Sequence, residues 1–258
     1  MRRGPLWSAR FLNLILIARD ELDGAGAVTL TDARASHVRR VLDVHVGQTV
    51  RVGIIDGELG EATVAGLNDL AVQLRCRFDE DVPSRPPIDV LLALPRPKVM
   101  RRLWAQLAAL GVGRIILTNA ERVERNYFDT HVLTADCYRP LLIEGLQQAR
   151  DTRLPLVSIH RQFRVLVEDE LDQLSDARVR LVADPNSVTP VARAVGQRTG
   201  ERVLLAIGPE GGWNAFELSL LETHRFETVS MGPRTLRSDT ACIALLSIVH
   251  EAIRQRSG

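Results

Sequence analysis

The pattern of apolar and polar positions changes once along the chain. Over the first 80 residues, short apolar or alternating stretches are separated by Gly, Asp and Asn. Five of them read as strands: Asn13 to Ala18, Ala27 to Thr31, Thr49 to Ile55, Glu61 to Ala65 and Ala71 to Phe78. One helical pattern, Ala33 to Leu42, interrupts them. Many short strands at this spacing predict a small β-barrel. The stretch Asp81-Val82-Pro83-Ser84-Arg85-Pro86-Pro87 then reads as a linker, because three prolines restrict the backbone and disrupt pairing.

Beyond the linker the rhythm becomes strand, helix, strand, which predicts an α/β fold with a largely parallel sheet. Val90 to Leu94, Arg114 to Leu117, Val179 to Ala183, Val203 to Ile207 and Thr228 to Met231 are the predicted strands. Lys98 to Leu110 is a helix with Val99, Met100, Leu103, Trp104 and Leu107 on one stripe, stopped by Gly111. A second helix covers Asp136 to Ala149. Asn214 caps a third, with Glu217 completing a capping box. Ser238 or Asp239 caps the last, Thr240 to Gln255. The chain therefore divides into residues 1–82 and 83–258.

Composition narrows the class. Of 258 residues, 45% are hydrophobic and 25% charged, the balance of a soluble globular protein. No apolar run reaches the roughly 18 residues of a membrane helix. Phe11 to Ile17 is short, and no small-residue cleavage site follows Arg2, Arg3 and Arg10, so it reads as a strand rather than a signal peptide. Cys76, Cys137 and Cys242 are too scattered for a disulfide framework, and a reducing cytoplasm is expected. The net charge of +1 conceals a basic centre: residues 84–165 hold 13 basic and 7 acidic side chains, and both flanks are net negative. Lys98 is the one lysine of the chain, so this charge is arginine, whose planar fork suits phosphate.

Two strand ends point to a ligand. The strand ending at Ile207 runs into Gly208-Pro209-Glu210-Gly211-Gly212. The strand ending at Met231 runs into Gly232-Pro233-Arg234-Thr235-Leu236-Arg237. Glycine lets a backbone turn sharply and approach a ligand closely, and ligands of open α/β sheets bind beyond the carboxyl ends of strands. One such loop is as readily a tight turn; two, expected on adjacent strands and followed by a helix start, favour a site. Neither has the order or lysine of a phosphate loop. Gly111-Val112-Gly113 is only half of a dinucleotide fingerprint. His37, His45, His131, His160, His224 and His250 lack metal-ligand spacing, so no metal is expected. Ser219 and Ser247 lack the context of a hydrolase nucleophile.

These residues carry a resemblance. Ile207 to Gly212, followed by Met231-Gly232-Pro233-Arg234-Thr235-Leu236-Arg237-Ser238-Asp239-Thr240-Ala241, resembles the 16S ribosomal RNA uridine-N3 methyltransferases of the SPOUT superfamily. His37-Val38-Arg39-Arg40-Val41-Leu42, followed by Gly47, is similar to the RNA-binding PUA-like barrel of that family. The resemblance spans nearly the whole chain and is sharpest in the last third. It implies a SPOUT α/β trefoil-knot methyltransferase domain behind a small PUA-like β-barrel, a homodimer, and ribosomal RNA or the small ribosomal subunit as partner. It also implies S-adenosyl-L-methionine, held by Leu181, Ala183, Ile207 to Gly212, Met231, Gly232, Pro233, Leu236, Arg237, Thr240 and Ala241. The chain departs from the family pattern at Gln147-Gln148, where Glu-Gln is usual ahead of residues such as Arg150, Arg153 and Pro155, and at Asp239, where Glu is common.

Uridine N3 must lose a proton before or during methylation, and a cation near the carbonyl oxygens would stabilise the anion. Arg237 is the first candidate, because a cation opposes the dipole at a helix N-terminus; Arg234 is the second. Glu210 or Asp239 could accept the proton, although Asp239 serves equally as a helix cap and Glu210 as a turn residue. Arg34, His37, Arg39, Arg40, Arg96, Lys98, Arg101, Arg102, Arg122, Arg150 and Arg153 are candidate RNA contacts, or else solvated surface. Rival readings are a SPOUT enzyme acting on ribose 2′-O or transfer RNA, a non-catalytic ribosome-binding protein, and a nucleotide-binding enzyme lacking a recognisable phosphate loop.

Overall fold

The alternating and the continuous apolar segments build two different sheets in the computed structural model, which describes residues 14–40, 43–196 and 200–254. Phe11 to Asn13, the last two residues of the 33–42 helix and Gln255 lie outside the described residues.

The first unit comprises the described residues up to Arg85, together with Leu146–Leu154. Its strands are β1 (Ile15–Ile17), β2 (Ala27–Leu30), β3 (Thr49–Ile54), β4 (Leu59–Leu67) and β5 (Val72–Phe78), with helix α1 (Ala33–Arg40) between β2 and β3. They form one mixed sheet in the order β1-β3-β4-β5-β2, parallel between β1 and β3 and antiparallel elsewhere. Alternation gives the sheet two faces. Val50, Val52, Ala62, Val64, Val72 and Leu74 point into a core with Val28, Leu30, Ala35 and Val38. Arg51, Glu61, Arg75 and Arg77 are exposed. The segment 146–154 ties into this unit through Thr152, whose buried hydroxyl donates to the Gly57 carbonyl at 2.6 Å. The Leu14 N–H donates to the Gln147 carbonyl at 3.3 Å.

The second unit, residues 86–145 and the described part of 155–258, holds a six-stranded sheet. Its strands are β6 (Ile88–Ala93), β7 (Arg114–Thr118), β8 (Leu156–His160), β9 (Val179–Ala183), β10 (Val203–Ile207) and β11 (Phe226–Val229). The helices are α2 (Pro97–Ala109), α3 (Ala135–Ala149, whose last turn belongs to the first unit), the short α4 (Phe163–Val165) and α5 (Leu171–Leu174), α6 (Val191–Gly196), α7 (Ala215–Thr223) and α8 (Ser238–Arg254). Every pairing in this sheet is parallel. All of β6 and β10 is buried, and apart from Asp89, whose carboxylate accepts from Ser175 and Arg202, both are apolar, as strands of a parallel sheet should be.

The strand order β11-β9-β10-β6-β7-β8 corrects one expectation. The two Gly-Pro loops leave β10 and β11, which are not neighbours: β9 lies between them. Strand β11 also ends two residues before the predicted Met231. Ser230 pairs only as an isolated bridge with Pro190, and the Gly232 N–H folds back on the Ser230 hydroxyl at 3.1 Å.

Candidate functional site

The ends of β9, β10 and β11 face the N-terminus of α8 across a cleft of about 610 Å³, counting space open to solvent. β9 contributes Ala183 and then Asp184 and Pro185; β10 contributes Ile207 and then Gly208, Pro209, Glu210 and Gly212. Val229, Ser230, Met231, Gly232, Arg234, Thr235 and Leu236 follow from β11, and Ser238, Ala241 and Leu245 from α8. The wall is mostly backbone, small residues and aliphatic side chains. Gly232 has φ +120° and Gly212 φ +75°, conformations that L side chains rarely adopt.

The first loop is braced from outside the cleft. Asn214 caps α7 by accepting from the Glu217 N–H, and the buried Glu217 carboxylate accepts in return from the Asn214 N–H at 2.8 Å. Its second oxygen accepts from the Glu121 N–H at 2.7 Å, so the loop after β7 is fastened to the loop after β10. Arg122 adds its guanidinium, which donates to the Gly211 carbonyl. A Cβ on Gly211 would lie 2.8 Å from Arg122 Cδ. Beneath Gly208, the Trp213 ring packs on Phe163 at 5.3 Å between centroids.

The second loop ends on Asp239. Helix α8 begins at Ser238, and the Ala241 N–H donates to the Arg237 carbonyl at 2.8 Å. Arg237 thus occupies the cap position, and Asp239 stands in the first turn rather than at the cap. The Asp239 carboxylate accepts from the Arg102 guanidinium at 3.0 Å and from its neighbour's Thr240 N–H at 3.0 Å, with Arg237 Nε at 3.8 Å. Desolvation alone would raise the Asp239 pKa. The Thr240 N–H, Arg102 and the charge of Arg237 outweigh it and hold the carboxyl below its usual range. A carboxylate so held is a poor proton acceptor at neutral pH.

The other predicted residues scatter. Leu181 is fully buried in the sheet. Gly211 turns towards Arg122 and away from the cleft wall. Pro233 lines a neighbouring apolar cleft with Val188, Pro190 and Ile248. Thr240 and Arg237 are exposed, the Arg237 side chain to 73%. Pro185, Val229, Ser230, Ser238 and Leu245 line the cleft without having been predicted. Ser238 carried a signal, being a hydroxyl at a helix start, and its buried Oγ has no hydrogen-bond partner among the described residues.

Among the candidate RNA contacts, Arg96, Lys98, Arg101 and Arg102 are exposed on the first turns of α2. Arg102 joins that basic end to the second loop through Asp239. Arg34 is engaged internally, bound to Glu21, Asp32 and the Leu16 carbonyl. Arg39 donates to the Asn68 carbonyl at 2.9 Å, and Arg153 to the Asp56 carbonyl at 2.9 Å. His37 and Arg40 lie on α1, half-buried and exposed. Arg150 has φ +59° and lines a cleft of the first unit.

A family model described as an RNA methyltransferase domain matches residues 83–250. The chain belongs to the RNA methyltransferase family. A Treponema pallidum relative, named ribosomal RNA small subunit methyltransferase E, is 30% identical over 244 residues, covering 92% of this chain and 90% of that one. A Borreliella burgdorferi relative, named ribosomal RNA small subunit methyltransferase E 1, is 25% identical and covers 90% and 95%. The solved methyltransferase E from Neisseria gonorrhoeae, bound to S-adenosyl methionine, shares the fold with a TM-score of 0.73 at 18% identity, covering 93% of this chain and 97% of that one. This RNA methyltransferase family member therefore shares the overall fold of that solved methyltransferase.

Proposed function

We propose that this RNA methyltransferase transfers a methyl group from S-adenosyl-L-methionine to N3 of a uridine in 16S ribosomal RNA, within the cleft between the Gly208 and Gly232 loops. The observation that carries the reading is that cleft. Backbone and small residues from three strand ends leave room for a ligand, aliphatic Ile207, Val229 and Leu245 offer an adenine face, and the partnerless Ser238 hydroxyl offers a hydrogen bond. The Asp184 carboxylate suits a hydroxyl or ammonium group of such a cofactor.

When bound, S-adenosylmethionine supplies an electrophilic methyl group on sulfur. The chain supplies position and charge. Arg234, in the cleft wall, is assigned to the anion that forms on the uracil carbonyl oxygens. Arg237, drawn aside by Asp239, takes second place, reversing the order expected from sequence. Glu210, exposed at the wall, is assigned to the N3 proton. Asp239 positions Arg102 and Arg237.

The wider reading is a homodimer whose second unit is a trefoil knot and whose residues 1–82 form a PUA-like barrel, acting in the cytoplasm on the small ribosomal subunit. Support for the dimer comes from α8, where Ile243, Ile248 and Ile253 are only half-buried, and from Val188, 95% exposed beside Ile248 and Pro233. Among the described residues, no helix is long and apolar enough to cross a membrane. Calorimetric titration with S-adenosylmethionine tests the cofactor, with saturable binding expected. Absence of binding would favour a non-catalytic ribosome-binding protein. Sedimentation tests the dimer, and monomer alone at micromolar concentration would refute it.

A further inference from the structure

The arginines of the first unit sort into two groups by whether their donors are engaged. Arg19 pairs with Glu58 at 2.6 Å, Arg34 with Glu21 and Asp32, and Arg85 with Asp56 at 3.1 Å. Arg39 and Arg153 donate to backbone carbonyls. These cations are structural. The side chains of Arg51, Arg75 and Arg77, like that of Arg40 on α1, are exposed and, among the described residues, make no hydrogen bond or ion pair.

The sheet places these three together. Register pairs Arg51 with Glu61 across β3 and β4, and Glu61 with Arg77 across β4 and β5. Directly paired residues point to the same side, so Arg51, Glu61 and Arg77 form one outward row. Arg75 lies two residues from Arg77 on β5, on the same face and roughly 7 Å along the strand. Glu61 stands between two arginines and makes no ion pair with either within 4.0 Å. Beside the row, a cleft of about 960 Å³, counting space open to solvent, is lined by Arg51, Arg77, Arg150, Glu61, Asp79 and Phe78. Gly60 lines it too, where a Cβ would lie 2.2 Å from the Arg77 carbonyl, so β4 and β5 approach closely there.

We infer that the outward face of β3, β4 and β5, through Arg51, Arg75 and Arg77, grips the ribose-phosphate backbone of the RNA substrate. The inference rests on the reading that the substrate is RNA. It moves the first unit's contact from Arg34 and Arg39, whose donors are engaged internally, to a sheet face. Long arginines on an open face bind phosphates without reading bases, so this surface anchors the RNA and leaves the choice of nucleotide to the second unit. Glu61 and Asp79 keep the face from acting as a general polyanion trap.

The test uses the full chain and an unmodified transcript of small-subunit ribosomal RNA, with affinity measured across a salt series. The Arg51→Ala/Arg75→Ala/Arg77→Ala variant should bind more weakly. Its slope of log affinity against log salt should flatten by about two units, since each lost phosphate contact removes roughly 0.7 to 0.9. S-adenosylmethionine affinity should be unchanged, and methylation should show a raised KM for RNA with kcat preserved. The corresponding triple lysine variant should keep most of the slope, which separates charge from strand stability. An alanine variant with wild-type affinity and slope would overturn the inference while leaving the methyltransferase reading intact, as would a lysine variant as weak as the alanine one. A wild-type chain that does not bind the transcript would overturn both.

Discussion

The loop after β10 and the loop after β11 both carry a Gly-Pro step, yet the chain holds them differently. The first is fastened at several points: the Asn214–Glu217 capping box, the Glu217 reach to the Glu121 N–H, Arg122 on the Gly211 carbonyl, and Trp213 on Phe163. The second runs from Ser230 to Arg237 with the Gly232 N–H on the Ser230 hydroxyl and Asp239 at its far end, and Pro233, Arg234 and Thr235 between them are exposed. A buried carboxylate with both oxygens satisfied by backbone N–H groups rigidifies what it joins. The difference suggests a division of labour: a preformed wall that holds the cofactor, and a looser wall that carries the reacting cations.

That division can be broken most directly at Arg234. Arg234→Ala should lower single-turnover methylation by about a hundredfold or more, the scale of a lost transition-state donor, with little change in cofactor affinity. Arg237→Ala should cost less. The opposite ranking would return the role to Arg237. Next in size, Gly232→Val forces a β-branched side chain onto φ +120°. Backbone strain of about 1–3 kcal/mol then corresponds to a loss of roughly tenfold to a hundredfold in S-adenosylmethionine affinity, read by calorimetry. Unchanged affinity would mean that the second loop does not shape the cofactor site.

The brace should give a smaller effect. Arg122→Ala removes a charge-assisted hydrogen bond at an exposed position, and cofactor affinity should fall by about tenfold. Gly211→Val should act through the same brace, because its Cβ meets the Arg122 side chain. The two substitutions combined should therefore cost little more than either alone. Full additivity would separate Gly211 from Arg122.

The least effect concerns pH. Burial lowers the His250 pKa, assisted by the charge of Arg254 and opposed by a hydrogen bond with the Leu110 backbone. The unfolded chain therefore binds the proton more readily than the folded one. Stability from this group is present above the ordinary histidine pKa of about 6.5 and falls away as pH drops below it. Urea midpoints measured from pH 7.5 down to 5.5 should decline, and His250→Phe should reduce the decline. An unaltered slope would remove His250 from the account.

Much of this is legible in the sequence, and the boundary has physical causes. Val90 to Ala93 of β6 and all of β10 are continuous apolar runs, and the α2 stripe of Val99, Met100, Leu103, Trp104 and Leu107 is buried as its period required. Strand β8 was missed because Leu156 to His160 is a half-exposed edge without clean alternation. The capping box was readable from Asn214 and Glu217, which are neighbours on a helix; its second use was not, since Glu121 lies 96 residues away. Strand order is equally non-local, so nothing near Gly208 or Gly232 announced that β9 lies between their strands and brings Pro185 to the wall. Arg34 is a different case, because Asp32 two residues earlier already offered it a partner.

The central claim is that the cleft between these two loops methylates a uridine base of small-subunit ribosomal RNA. Mass mapping of that RNA after incubation with the protein and S-adenosylmethionine tests it most directly. The account predicts one methyl group, on a uracil ring, present with the wild-type chain and strongly reduced with Arg234→Ala. A methyl group on ribose, or RNA left unmodified by a chain that binds both cofactor and transcript, would contradict it.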